Sequence, residues 1–148
     1  MPTFTKTIWI YWHQGEASAP ELVKRCIASW RTRNPGWQVN VLDAASVRNY
    51  CDLGEVIDLG RKDIPVQMVA DLVRLHLLNR HGGVWADATL YCATPLDEWI
   101  QQAARSGFFA FARPGRDRML SVWFLASTPG NPLITGWCQR FTEVFSRR

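Results

Sequence analysis

The sequence predicts an α/β fold with a mostly parallel sheet flanked by helices, and three observations carry that prediction. A strand–helix–strand run fills the first 42 residues, and a long, largely apolar helix further on ends in a glycine pair. Of the 148 residues, 47% are hydrophobic, which is enough for one core and not for two. With 20% charged residues and 12% aromatic ones, a disordered chain is excluded.

The elements follow in order. Thr7–Trp12 is β-branched and aromatic without a breaker, as in a buried strand. Ser18-Ala19-Pro20-Glu21 has the spacing of a capping box with proline in the first turn. Behind it Leu22, Val23, Cys26, Ile27 and Trp30 recur at helical spacing to about Arg33, where Asn34-Pro35-Gly36 stops the helix. Trp37–Leu42 alternates as a half-buried strand, completing a βαβ unit and so a parallel pair. A short helix capped by Asp43 is expected over Asp43–Tyr50, and a loop with a brief apolar segment over Cys51–Lys62. Asp63-Ile64-Pro65 opens the clearest helix, Val66–Arg80, whose apolar positions cover a wide face and predict burial. Gly82-Gly83 is expected to end it in a left-handed cap. Val84-Trp85-Ala86 is then a short strand delivering Asp87 to its far end. A helix over Asp97–Arg105, strands over Gly107–Ala112 and Met119–Ala126, and a helix from Asn131-Pro132 to Phe145 complete one α/β domain.

Charge and cysteine usage narrow the function classes. The net charge is +4, and the basic residues are 14 Arg against 3 Lys. Cys26, Cys51, Cys92 and Cys138 form no CxxC pair, so free thiols in a reducing compartment are expected. The three His make no HExxH. No signal peptide opens the chain, which predicts a cytoplasmic protein, at most peripheral at the inner face of the membrane. Met119–Gln139 carries no charge, but Pro129-Gly130-Asn131-Pro132 interrupts it. It reads as strand, turn and helix, and no membrane span is expected.

Three polar clusters lie at strand ends or on the long helix, where an open α/β sheet binds its ligand. Trp12-His13-Gln14-Gly15 offers an aromatic that could stack a base and a glycine that lets backbone approach a phosphate; equally, Trp12 is a core aromatic. Asp71 and Arg74 share a helix face at i, i+3, as a structural pair or as a clamp for a ligand hydroxyl and phosphate. Asp87 at a strand end holds a ribose hydroxyl or a metal, or only forms a turn.

In combination, helix with Asp-x-x-Arg, Gly-Gly, then aromatic-x-Asp resembles the donor-binding core of DXD-type glycosyltransferases with the GT-A fold. The nearest likeness is to capsular polysaccharide synthesis proteins and their relatives sharing an α-mannosyltransferase-like domain, and to the clostridial toxin glucosyltransferases. The matching stretches are Ile8–Gly15, Ala19–Trp37, Ala70–Cys92 and Ser121–Pro132. The resemblance implies a Rossmann-like GT-A nucleotide-sugar-binding fold over residues 1–148, and a nucleotide-sugar-binding set of Trp12, Gln14, Gly15, Asp71, Arg74, Gly83, Trp85 and Asp87. It makes Asp87 and Arg74 catalytic, with Trp12 stacking a uracil-like base and Arg74 stabilising the leaving diphosphate. Asp87 takes the first position of Asp-x-Asp, and Trp85 a place often held by Tyr. Ala70 stands where relatives often carry Ser. Thr89 replaces the second Asp, so the implied Mn²⁺ or Mg²⁺ falls to Asp87 and Thr89, which strand alternation puts on one side. The family's domain is longer, roughly 250 residues, so a truncated relative or fragment is expected, without the C-terminal ligand and lid.

The activity implied is hexosyl transfer from a nucleotide-sugar, UDP-linked by the resemblance, to a polysaccharide or other glycan acceptor, with retention. The alternative is a truncated, non-catalytic nucleotide- or glycan-binding module. Nucleic acid is not the expected partner: Arg105–Arg118 holds four Arg and one Asp, but Phe108, Phe109 and Phe111 alternate as in a strand facing a core.

Overall fold

The computed structural model describes residues 3–53 and 63–146. Five strands, β1 (Thr7–Tyr11), β2 (Gln38–Leu42), β3 (Gly83–Ala86), β4 (Phe108–Gly115) and β5 (Arg118–Ser127), form one sheet in the order β2-β1-β3-β5-β4. β1 pairs in parallel with both β2 and β3, in register Tyr11 to Leu42 and Trp9 to Trp85. β5 runs antiparallel to β3 and β4, so four strands share one direction and β5 alone opposes them. The sheet is therefore mixed by pairing while keeping the expected parallel βαβ unit.

Strand alternation splits the core between two faces. Trp9, Tyr11, Trp85 and Leu125 face α2 (Val66–His81) and α4 (Pro132–Ser146). Ile8, Ile10, Val84, Ala86 and Phe124 face α1 (Glu21–Arg33) and α3 (Ile100–Ala103). Burial on both sides explains why β1 and β3 read as continuous apolar runs. Phe108 and Phe109 divide between the same two clusters, as their alternation requires. All four cysteines are buried and free. Among the described residues no helix is long and apolar enough to cross a membrane; Met119–Gln139 is divided among β5, a turn and α4.

Four local expectations are corrected. α1 starts at Glu21 with Pro20 in the cap position and no side-chain cap, so the Ser18 capping box does not form. The residue before a proline is driven to extended backbone, and Ala19 sits at φ −73°, ψ 151°, which bars an earlier start. The helix after Asp43 is a single 3-10 turn, Ser46–Asn49. The Asp97–Arg105 helix is broken at Trp99, whose ring packs on Phe109 and Phe124 at 5.5 and 5.6 Å, leaving 3-10 turn Leu96–Glu98 and one turn of α3. Gly82 has positive φ but extended ψ (68°, −170°), so it is not the left-handed cap. Most of the loop expected over Cys51–Lys62 lies outside the described residues.

His76 faces α4, its Nε2 3.1 Å from Thr142 Oγ1, and burial pushes its pKa below the usual 6.5. The unfolded chain then takes up a proton at higher pH than the folded one, so stability falls as pH drops through about 6.5. Carboxylates held below their ordinary range, such as Glu16, titrate below that window. Melting scans at about pH 7.5 and 5.5 are expected to show a lower Tm at the acid end, with a smaller difference in His76→Gln. Equal differences in the two proteins would contradict this.

Candidate functional site

The site lies at the carboxyl end of β3. Immediately after Ala86 the Asp87 amide donates to the Trp123 carbonyl at 2.9 Å, fixing the end of β3 against β5. Asp71 and Arg74 come from one face of α2, the helix packed over Trp85. Arg74 Nη1 donates to Asp71 Oδ1 at 2.6 Å, and Nη2 to Asp87 Oδ1 at 3.2 Å. The guanidinium carbon stands 5.1 Å from the Trp85 ring centroid, and the Trp85 indole N–H donates to the same Asp87 oxygen at 2.8 Å. One buried cation thus binds two carboxylates, and one buried indole helps to fix the second.

Exposure separates the roles. The Arg74 side chain is 6% exposed, against 38% for Asp71 and 36% for Asp87. Each Arg74 Nη makes one hydrogen bond, to Asp71 and to Asp87, and its buried Nε donates to no group among the described residues. Arg74 holds the two acids that face solvent. Asp87 spends Oδ1 on two donors and has no hydrogen bond on Oδ2 among the described residues. Trp85 is 1% exposed, and its indole N–H is spent on Asp87.

The loops after β1 and β2 form the next part of this edge. Trp12 is half-buried against the α1-side cluster, with its amide on the Leu42 carbonyl at 2.9 Å. Gln14 is exposed. Gly15 has φ 92°, and a Cβ there would come within 3.3 Å of Asp43 Oδ2, so a glycine is required for the loop to turn against Asp43. Three donors, first the Ser46 amide and then the Ser46 hydroxyl and Ala45 amide, hold the Asp43 carboxyl below its usual range. Glu16 pairs through both oxygens with Arg31 on α1 and anchors the other side of the loop. Tyr11, which the sequence marks only as strand core, hydrogen-bonds His13 Nδ1 at 2.7 Å. Burial first, then Asp43 and Cys51, push its pKa up to about 12, so the phenol stays protonated.

Gly83 is not brought to this edge, and strand alternation does not align Thr89 with Asp87. Gly83 lies at the other end of β3, where a Cβ would sit 2.5 Å from the Thr7 carbonyl oxygen. Its missing side chain lets β1 and β3 approach. Thr89 is exposed, and the strand alternation that would align it with Asp87 does not continue past Ala86. The Leu90 amide instead closes a turn onto the Asp87 carbonyl at 3.0 Å. Among the described residues no three His, Cys, Asp or Glu side chains gather to hold a metal.

The family model described as "Capsular polysaccharide synthesis protein" matches residues 2–148. The chain is 33% identical over 162 residues to O-glycosyltransferase braB of Annulohypoxylon truncatum, covering 97% of this chain and 38% of that protein. It is 30% identical to O-glycosyltransferase PaGT of Phomopsis amygdali, covering 95% of this chain and 39% of that one. The initiation-specific alpha-1,6-mannosyltransferase of Candida albicans is 25% identical, with 95% and 43% covered. The solved PaToxG glycosyltransferase superposes with a TM-score of 0.70 at 14% identity, over 97% of this chain and 62% of that chain, which shows a shared fold. The chain thus spans about two-fifths of the length of these curated relatives.

Proposed function

The chain belongs to the capsular polysaccharide synthesis protein family, and from that premise we propose that it binds a nucleotide-sugar, UDP-linked, and transfers the sugar with retention to a hydroxyl acceptor, expected from the sequence to be a glycan. The observation that carries this reading is the pair of half-exposed acids, Asp71 and Asp87, fixed by buried Arg74 at the carboxyl end of β3. Ligands of open α/β sheets bind at that edge.

The roles follow from exposure. Trp12 supplies a base-stacking face, and Gly15 lets backbone approach the nucleotide. Asp71 accepts from ribose or sugar hydroxyls. Asp87 offers Oδ2 outward, and Arg74 and Trp85 keep that oxygen in place. Arg74 is a positioning residue in this scheme, working through the acids. A divalent cation, Mn²⁺ or Mg²⁺, fits only in company with the nucleotide, because among the described residues no three His, Cys, Asp or Glu side chains gather to complete a shell around Asp87. When bound, it would screen charge on the departing diphosphate.

The test is calorimetry with uridine, UMP and UDP, each with and without Mn²⁺. UDP is expected to bind tightest, and Mn²⁺ to bind well only when UDP is present. Trp12→Ala is expected to lose about 1–2 kcal/mol, the lower half of the usual stacking range, because the ring is half-buried. Equal affinity for all three ligands would refute the reading. Binding without turnover in a transfer assay would leave the non-catalytic module.

A further inference from the structure

A cleft of about 390 Å³ opens beside the site on the α1 side of the sheet, within the size range of small-molecule pockets. Trp30, Trp99, Phe111, Trp123 and Phe124 line it together with the segment Leu90–Thr94. It begins where the site ends: the Asp87 amide is bonded to the Trp123 carbonyl, and the turn from Asp87 closes at Leu90. The segment Leu90–Thr94 is irregular yet held from α1 and the residue after it. Trp30 Nε1 donates to the Leu90 carbonyl at 2.9 Å, the Cys92 amide to Ser29 Oγ at 2.8 Å, and the Leu96 amide to Asn34 Oδ1 at 2.7 Å. Buried polar groups therefore fix this wall before any ligand arrives.

The lining chemistry selects the occupant. Phe111 stacks on Trp123 with centroids 5.1 Å apart and 22° between planes, and Phe111 is 39% exposed. Among the described residues no charged or amide side chain lines the cleft; its polar side-chain groups are those of Tyr91, Cys92 and Thr94 and the indole N–H groups of its tryptophans. A glycan ring laid against the aromatic faces would meet few side-chain partners there, and each hydroxyl buried without one costs about 1–3 kcal/mol. A flat apolar ring would bury its surface at no such cost.

We propose that this cleft is the acceptor subsite, and that it takes an alcohol or phenol whose hydroxyl stands on an apolar ring system rather than a bare glycan. The assignment rests on the donor reading above. In the transfer, the acceptor oxygen bonds to the anomeric carbon as that carbon's bond to the diphosphate oxygen breaks. The bonding pair leaves on the diphosphate, which takes the hydroxyl proton.

The test titrates 2-naphthol and cellotriose separately into the full chain by calorimetry, with UDP affinity measured on the same samples. The expected result is 2-naphthol binding at least tenfold tighter than cellotriose, weakened at least fivefold in Phe111→Ser and in Trp123→Leu, with UDP affinity unchanged in Phe111→Ser. Retained 2-naphthol binding in a chain that fails to bind UDP would support the cleft while removing the donor reading. Cellotriose binding as tightly as 2-naphthol, or 2-naphthol binding indifferent to both substitutions, would overturn the assignment.

Discussion

Arg74→Met is expected to lower stability by about 3 kcal/mol and to weaken UDP binding at least tenfold. The substitution keeps much of the side-chain volume but removes the guanidinium that bridges Asp71 and Asp87. Breaking a buried ion pair costs about 3–5 kcal/mol, and the lower end applies because both acids are more than a third exposed. For a chain of 148 residues that corresponds to a fall in Tm of about 6–12 °C. Arg74→Lys restores charge without the planar fork that reaches both acids, so it should recover only part of the loss. Thermal melting and calorimetry on the three proteins decide it. A Tm within about 1 °C of wild type in Arg74→Met would show that the pair contributes nothing measurable.

Asp87→Asn is expected to reduce transfer about 10²–10³-fold, the scale of losing one preorganised electrostatic partner, while Tm changes little. An amide oxygen can still accept from Trp85 Nε1 and Arg74 Nη2, so the geometry at 2.8 and 3.2 Å survives. What disappears is the negative charge on the outward oxygen. The Mn²⁺ enhancement of UDP binding should go with it. Turnover per folded molecule and Tm must be read on the same preparations. A large fall in Tm with turnover preserved would make Asp87 a structural residue.

The parts of the fold that were legible in the sequence are those where one periodicity extends over many residues. The helix beginning at Val66 and strand Thr7–Tyr11 are buried on wide faces, and their patterns announce it. Asp71, Arg74 and Asp87 were legible as a set because residue type and order carried them. Their division of labour was not. Periodicity predicts that Trp85 is buried, but not that its N–H ends on Asp87, nor that Arg74 is buried and bridges Asp71 and Asp87. Strand alternation does not carry from Asp87 to Thr89 because the four-residue strand ends at Ala86 and Asp87 opens a turn, the other reading that an Asp at a strand end allowed. The aromatic cleft was invisible for a different reason. Trp30, Trp99, Phe111 and Trp123 come from four separate segments and meet only through the sheet order.

The central claim is that a nucleoside diphosphate binds where Asp87 ends β3, and the Trp85 indole proton reports on that place directly. The chain has eight Trp, so a ¹⁵N-labelled sample gives resolvable indole signals that substitution can assign. Trp85 donates to Asp87 Oδ1, whereas Trp37 donates to Asp97 Oδ1, beside the start of β2 at the opposite end of the parallel strands. Paramagnetic Mn²⁺ added with UDP should broaden the Trp85 and Trp12 indole signals and leave Trp37 sharp. Neither Mn²⁺ alone at the same concentration nor Mn²⁺ with uridine should do so. A Trp85 signal unchanged at saturating Mn²⁺ and UDP, or broadening centred on Trp37, would contradict the account.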